Sequence, residues 1–277
     1  MIVKESLAYS RQLLAANNIE EACIEGELLL RNALDLNRVQ LYQNFNNELE
    51  AEQQQVLDCL IERRIKGEPI AYIRKNREFY GQEFYVNCDV LIPHPETEHL
   101  VEKVIELAGE YESPLIADIG TGSGDIAISL TLKLPQARIY ATDISIAALK
   151  VAGLNCRKHG VADKVSLLEG NLLEPLPQPV DFIVANLPYV KNADIGAACF
   201  EPRLALDGGE DGLDVIRRLC RQAGGKLLPG GCLLLEIGQG QKEATTTLLR
   251  SLFPQASIEI TPDLSGIDRV VCMVLPI

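Results

Sequence analysis

Residues 115–124 read Leu-Ile-Ala-Asp-Ile-Gly-Thr-Gly-Ser-Gly, an apolar run that leads directly into a glycine-rich loop. The apolar run predicts a buried strand, and a glycine loop between a strand and a helix is typical of a nucleotide-type site. Glycines let the backbone turn tightly, and the N–H groups that open the next helix face the ligand. This stretch therefore predicts an α/β sheet with a small-molecule site at the end of its first strand.

Beyond this stretch, strand and helix patterns alternate to the end of the sequence. The predicted strands are 115–119, 138–144, 165–168, 181–186, 233–237, 258–260 and 270–275. The predicted helices are 126–134, 147–159, 213–223 and 242–252. Such alternation predicts a Rossmann-like, mostly parallel seven-stranded sheet covered on both faces. The last two strands have no helix between them, which predicts an antiparallel hairpin at one edge.

The sequence before the sheet has a different pattern. Leucine-rich stripes at helical spacing predict a small N-terminal helical bundle domain over residues 1–77. Apolar residues that stand among polar ones on both sides of Gly81 predict a β-hairpin linker over residues 78–92. The α/β domain then covers residues 93–277, and its first helix begins near Pro95.

Composition excludes several classes of protein. The chain has 277 residues, a formal charge of −13 and 47% hydrophobic residues. Residues 1–80 carry ten basic and thirteen acidic side chains, and residues 81–277 carry sixteen and twenty-six. This acidity argues against direct binding of nucleic acid. No apolar run suits a membrane span or a signal core, so we expect a cytoplasmic protein without a membrane partner. We also expect it to be a monomer.

Metal and disulfide sites are not expected. The eight cysteines form no Cys-x-x-Cys pair, and the three histidines do not cluster with them in the sequence. We therefore expect all eight to be buried, reduced thiols and no metal to be bound.

The glycine loop and the acids around it indicate the kind of ligand. Position 125, where the dinucleotide fingerprint has its third glycine, is Asp125, and the loop lacks the lysine of a P-loop. A ligand without pyrophosphate is therefore predicted. Asp143 ends the second strand, where a carboxylate accepts hydrogen bonds from ribose hydroxyls; the alternative is that Asp143 caps the next helix. Acids at the site favour a cationic ligand, which points to S-adenosylmethionine.

A second motif follows the fourth strand, which ends in Asn186-Leu187-Pro188-Tyr189. A planar amide or amino nitrogen is a poor nucleophile. The Asn186 oxygen and the next backbone carbonyl can accept its two N–H groups and aim it at a methyl carbon. Tyr189 can pack on the planar group. The alternative is a simple turn that ends the strand.

With these motifs the chain resembles the release-factor glutamine methyltransferases (the PrmC/HemK family) over nearly its whole length. The resemblance rests most specifically on Pro95-Glu96-Thr97-Glu98 and Glu201-Pro202-Arg203. It also includes residues 67–73, 78–81, 90–94, 118–124, 171–176, 186–189, 204–209 and 234–238. It implies a class I S-adenosylmethionine-dependent methyltransferase fold, and an N-terminal domain that helps to bind the substrate. The implied reaction methylates the side-chain amide nitrogen of the Gln in the Gly-Gly-Gln motif of class 1 peptide chain release factors, with S-adenosyl-L-homocysteine as the other product.

The same resemblance implies roles for individual residues. The cofactor-binding residues would be Asp118, Gly120, Thr121, Gly122, Ser123, Gly124, Asp143, Asn171, Leu172 and Asn186. The catalytic residues would be Asn186, Leu187, Pro188 and Tyr189. Four positions depart from the family pattern: Asn171 replaces a frequent acid, Leu187 the usual first proline and His94 the usual arginine, and Lys75 stands where many relatives have glycine.

Two other functions share these features. An adenine-N6 methyltransferase of DNA or RNA uses a similar Asn-Pro-Pro-Tyr motif, although the negative charge and the lack of a basic recognition module argue against it. A regulatory or adaptor protein that binds the cofactor without turnover would be consistent with Leu187 and His94.

Overall fold

The structure is a computed structural model that describes residues 1–196 and 199–277. The chain forms two compact units, Met1–Asn76 and Arg77–Ile277.

The first unit is a bundle of helices, as the leucine stripes predict. Its elements are α1 Val3–Ala16, α2 Ala22–Leu34, α3 Arg38–Gln43, α4 Ala51–Ile65 and α5 Ile70–Arg74. One cluster of apolar side chains fills its interior, and Leu14, Leu29 and Leu57 are fully buried in it. Burial of this apolar surface is what stabilises such short helices.

The second unit begins with a two-stranded hairpin. Strand β1 covers Arg77–Phe79 and β2 covers Gln82–Phe84. The two turn residues between them, Tyr80 and Gly81, have φ angles of 50° and 70°, as a tight hairpin turn requires. Phe79 belongs to the main core of the second unit, so the hairpin packs within that unit. Residues 85–92 contain no strand, and the division into segments 1–77, 78–92 and 93–277 stays a prediction.

The rest of the second unit alternates strands and helices. A 3-10 turn at Pro95–Thr97 precedes α6 Glu98–Ala108. The strands that follow are β3 Leu115–Ile119, β4 Arg138–Asp143, β5 Val165–Glu169, β6 Val180–Ala185, β7 Leu227–Glu236, β8 Ser257–Pro262 and β9 Asp268–Val274. The helices are α7 Asp125–Lys133, α8 Ile146–Lys158, α9 Arg203–Leu206, α10 Asp214–Ala223 and α11 Lys242–Leu252, with a 3-10 turn at Asn192–Asp194.

The seven strands form one sheet in the order β5-β4-β3-β6-β7-β9-β8. The first five are parallel, whereas β9 pairs antiparallel with both β7 and β8. The predicted parallel sheet with an antiparallel edge hairpin is therefore confirmed. Apolar clusters cover both faces, as expected for a parallel sheet between two layers of helices.

One strand prediction is too short. The sequence predicts a strand at 233–237, but β7 begins at Leu227 and passes through Pro229-Gly230-Gly231. Its pairing with β6 shifts between Val180 and Phe182, so the residues in between form an irregular section of the ladder. Proline and glycine indicate a turn in the sequence, although the chain bulges there without leaving the sheet.

The expectation of eight buried thiols is wrong for half of them. All eight are free, but Cys23, Cys59, Cys88 and Cys199 are exposed. The buried ones are Cys156, Cys220, Cys232 and Cys272, which lie in the core clusters of the second unit. The general preference of cysteine for the interior does not determine single surface positions.

Within the described residues, none of the helices combines the length and the apolar character that spanning a membrane requires.

Sheet order determines where a ligand site forms. The chain winds from β3 outward through β4 and β5, then returns to β6 on the other side of β3. The carboxyl ends of β3 and β6 are therefore neighbours from which the connections diverge. In open α/β sheets, ligands bind at this switch point.

Candidate active site

A cavity of about 540 Å³ opens at the carboxyl ends of β3, β4 and β6. Predicted site residues that line it are Gly120, Thr121, Gly122, Ser123, Asp143, Asn171, Leu172, Asn186, Leu187 and Pro188. Asp118, Gly124 and Tyr189 lie outside this lining. The sheet thus brings residues from four separate stretches of sequence around one space.

The glycine loop after β3 is folded back on β4. The Gly120 and Thr121 N–H groups both donate to the Thr142 carbonyl over 2.9 Å. Gly120 has a φ of 74°, and a Cβ there would lie 3.1 Å from Cδ2 of Leu187. Gly124 has a φ of 82° and lies against Ala152 of α8, where a Cβ would be 3.2 Å from Ala152 Cβ. Glycine is therefore required by both conformation and space at these two positions.

Two carboxyl groups support the loop. Asp118 is fully buried, and its Oδ2 accepts a hydrogen bond of 2.6 Å from the Thr121 hydroxyl. Its Oδ1 has no partner among the described residues, and burial raises the pKa of Asp118 to about 7. Asp125 accepts from the Ser123 hydroxyl over 2.6 Å, and burial raises the pKa of Asp125 to about 6. A nearby positive charge would therefore stabilise the ionised form of both acids.

Asp143 connects the loop to α8. One carboxylate oxygen accepts from the Gly122 N–H over 2.9 Å and the other from the Ser145 N–H over 2.8 Å. The N-cap of α8 is Ser145, whose hydroxyl accepts from the Ala148 N–H. The alternative in which Asp143 caps this helix is therefore not observed. A carboxylate has about four acceptor sites, so Asp143 retains capacity toward the cavity.

The segment after β5 forms the next part of the wall. Leu172 has a φ of 55°, and its carbonyl accepts from the Thr142 hydroxyl over 3.0 Å. The Asn171 amide nitrogen donates to Glu174 over 3.0 Å. With its nitrogen engaged, Asn171 keeps its carbonyl oxygen as an acceptor.

Hydrogen bonds to Thr97 and Glu236 orient the motif that follows β6. The amide nitrogen of Asn186 donates to the Thr97 hydroxyl over 3.0 Å. Leu187 is buried and lies beside Gly120, which joins this motif to the glycine loop. The Tyr189 hydroxyl donates to Glu236 over 3.0 Å, and burial raises the pKa of Tyr189 above its ordinary range. The packing of Tyr189 on a substrate amide stays a prediction.

Comparison with known proteins places the chain in a family. It is 43% identical over 274 residues to the release factor glutamine methyltransferase of Moorella thermoacetica, with 97% of each chain covered. The chain belongs to the release factor glutamine methyltransferase family. A second member, from Geobacter sulfurreducens, is 41% identical over 276 residues, and the match covers 97% of this chain and 95% of the relative.

Domain comparisons agree with this membership. Residues 5–74 match the PrmC N-terminal domain, and residues 96–203 match the methyltransferase small domain. The solved ribosomal protein L11 methylase of Lactobacillus delbrueckii subsp. bulgaricus superposes with a TM-score of 0.54 at 21% identity, covering 73% of this chain and 90% of that one. This likeness supports the fold, which is that of class I S-adenosylmethionine-dependent methyltransferases.

The structure also shows site residues that the motifs do not predict. Thr97, His94, Asp125 and Arg203 line the cavity, and Glu236 lies behind it in contact with Thr97. The stretches that carry the family resemblance contain all of these except Asp125, but sequence does not reveal what each one contacts. Glu201 is a further example, because its carboxylate accepts from the Ile92 N–H and joins two of those stretches.

Across residues 1–196 and 199–277, no group of three or more His, Cys, Asp or Glu side chains is arranged to hold an ion.

Proposed function

We propose that this chain transfers a methyl group from S-adenosylmethionine to the side-chain amide nitrogen (N5) of the Gln in the Gly-Gly-Gln motif of class 1 peptide chain release factors. S-adenosyl-L-homocysteine would be the second product. The observation that carries this proposal is the orientation of Asn186. Asn186 is the first residue after β6 and lines the cavity. Its amide nitrogen donates to Thr97, so its oxygen remains available to accept a hydrogen bond from a substrate in the cavity.

The residues of the glycine loop fit the cofactor. At Gly120, which lines the cavity, a Cβ would lie 3.1 Å from Cδ2 of Leu187, and backbone N–H groups at the start of α7 can face a carboxylate. Asp118 is a buried acid that supports the loop, and Asp125 and Asp143 are further acids nearby. A ligand with a sulfonium and an ammonium group matches this wall.

In this proposal, different residues of the cavity bind different parts of S-adenosylmethionine. The loop residues Gly120, Thr121, Gly122, Ser123 and Gly124, supported by Asp118, hold the methionine part. Asp143 accepts from the ribose hydroxyls. Asn171 accepts from the adenine amino group through its free oxygen, and Leu172 packs beside the ring. Asn186 contacts both cofactor and substrate.

The substrate nitrogen is the second reactant. When bound, S-adenosylmethionine supplies an electrophilic methyl carbon attached to a sulfonium sulfur. Asn186 Oδ1 and the Leu187 carbonyl accept the two N–H groups of the glutamine amide and hold its nitrogen in line with that carbon. Transfer forms the nitrogen–carbon bond, breaks the carbon–sulfur bond and releases one proton from nitrogen to solvent. Pro188 restrains the backbone, and Tyr189 packs on the planar amide.

The rest of the chain has a supporting role in this proposal. Residues 1–77 help to bind the release factor, residues 78–92 link the two parts, and residues 93–277 carry out the chemistry. We further propose that the enzyme acts as a cytoplasmic monomer without direct contact to nucleic acid.

The test is an assay on the full chain with a class 1 release factor and S-adenosylmethionine. We expect mass spectrometry of the Gly-Gly-Gln peptide to show the gain of one methylene unit, located on the glutamine. Parallel reactions with DNA and with RNA serve as controls. Methylation of either nucleic acid with none on the release factor would contradict the proposal in favour of an adenine methyltransferase. Tight binding of S-adenosylmethionine without turnover would contradict it in favour of an adaptor.

A further inference from the structure

Glu236 is a buried carboxylate directly behind the Asn186 motif. It ends β7, and 1% of the residue is exposed. One of its oxygens accepts from the Thr97 hydroxyl over 2.6 Å and the other from the Tyr189 hydroxyl over 3.0 Å. A single carboxylate thus holds the end of the 186–189 motif and the turn that precedes α6.

The hydrogen bonds through Thr97 run in one direction. A hydroxyl has one proton, and Thr97 donates it to Glu236 over 2.6 Å. Burial raises the pKa of Glu236, whereas the hydrogen bonds from Thr97 and Tyr189 act in the opposite direction and favour the carboxylate that accepts them. Thr97 can then only accept from Asn186, and it receives the Asn186 amide nitrogen over 3.0 Å. Thr97 is itself 1% exposed, so water does not compete for these bonds.

The direction of these hydrogen bonds matters because an asparagine amide is nearly symmetric in shape. Its oxygen and nitrogen ends occupy almost the same volume but have opposite hydrogen-bonding roles. If the amide were turned over, two N–H donors would face the N–H groups of a substrate amide, and the acceptor would be lost.

We infer that Thr97 and Glu236 are positioning residues that fix the Asn186 amide with its oxygen toward the substrate. Glu236 sets the direction of the Thr97 hydroxyl, and Thr97 in turn sets the orientation of Asn186. The inference rests on the proposed function, since it assigns the direction of the acceptor used in that reaction. It gives a role to one residue in each of two stretches that carry the family resemblance, 90–98 and 234–238.

Thr97→Val tests the inference because valine keeps the branched shape and removes the hydroxyl. We expect kcat for release-factor methylation to fall about a hundredfold, the penalty of misaligned reacting groups, while the Kd for S-adenosylmethionine stays the same. Thr97→Ser keeps the hydroxyl and should restore kcat to within about threefold of the wild type. Wild-type kcat in Thr97→Val, or equal losses in the serine and valine variants, would overturn the inference.

Thr245 provides a matched control. It is a threonine with no exposed surface, and its hydroxyl has no hydrogen-bond partner among the described residues. Thr245→Val should leave kcat unchanged, which separates loss of this particular hydroxyl from loss of any buried threonine.

Glu236→Gln keeps the inference falsifiable even where Thr97→Val does not fold. A glutamine amide can donate to Thr97, which frees the threonine proton to turn toward Asn186 and removes the preference for one orientation. We expect kcat to fall about tenfold or more with unchanged cofactor Kd, and wild-type kcat would overturn the inference. Failure of the proposed function is distinguished by the wild-type chain, which would then leave the release factor unmodified in the same assay.

Discussion

Two walls of the same cavity are built in different ways. The cofactor wall, which comprises residues 118–125 and Asp143, is held by loop N–H groups that donate to the Thr142 carbonyl and to Asp143, and by side-chain bonds between residues two or three positions apart. The amide wall, defined as Asn186 with Thr97, Tyr189 and Glu236, is held by side chains. Its bonds join residues that are 89 and 139 positions apart in the sequence.

This difference predicts how each wall responds to substitution. The cofactor wall depends on φ angles and on the space left by missing Cβ atoms, so it should be sensitive to added atoms. The amide wall depends on the direction of individual protons, so it should be sensitive to changes that add no volume at all. Substitutions can therefore separate cofactor binding from methyl transfer.

The largest expected effect is on the amide wall. Asn186→Ala removes the acceptor for the substrate amide, and we expect methyl transfer to fall at least a hundredfold, about the cost of losing one preorganised polar contact to a reacting group. Calorimetric titration should show that S-adenosylmethionine still binds, with a loss of affinity much smaller than the loss of transfer, because Asn186 supplies only one of the contacts to the cofactor. Normal transfer by this variant would contradict the role of Asn186.

The next effect is on the cofactor wall. Gly120→Ala places a Cβ 3.1 Å from Leu187 at a φ of 74°, and we expect the Kd for S-adenosylmethionine to rise about tenfold. Gly160→Ala is the matched control, because Gly160 has a φ of 68° but no atom within 4 Å of the added Cβ. That variant carries the same backbone strain and should lose some stability without losing cofactor affinity. Equal affinity losses in both variants would mean that strain alone, and not the shape of the wall, is responsible.

A third effect concerns the charge of the cofactor wall. The pKa of Asp118 is about 7 in the folded chain against about 4 for an unfolded aspartate, so the folded state keeps a proton that the unfolded chain has released. The free energy of unfolding therefore decreases as the pH rises from about 4 to about 7 and then levels off. Asp118→Asn cannot titrate, and its carbonyl can still accept from Thr121.

Thermal unfolding without cofactor measures this effect. The Tm of Asp118→Asn relative to the wild type should increase by about 3 °C or more between pH 5 and pH 8. Asp125 is present in both proteins, so its own raised pKa cancels in the difference. A difference that does not change with pH would show that Asp118 stays ionised throughout.

The smallest expected effect concerns the approach of the substrate. The acidic charge of residues 81–277 predicts a basic docking face on the release factor. We expect KM to rise severalfold as the salt concentration is increased, with kcat changing less. A KM that stays constant would argue against electrostatic attraction between enzyme and substrate.

The contrast between the two walls also explains what the sequence predicts well. The glycine loop and Asn186 directly follow a strand, Asp143 is the last residue of one, and alternating patterns reveal those strands. The sequence does not identify Thr97 and Glu236 as site residues, since nothing in the local sequence at either position indicates that they meet. Helix α9 has four residues, too few for a helical period to be recognised.

Sheet order has a further consequence for the way the chain assembles. Strand β9 follows β8 in the sequence but lies between β8 and β7 in the sheet. During synthesis β7 and β8 leave the ribosome before β9. They do not pair with each other, and each pairs with β9 once it is inserted between them. We expect the edge of β7 that ends in Glu236 to stay open until this late step, so a nascent chain acquires its cofactor wall before its amide wall.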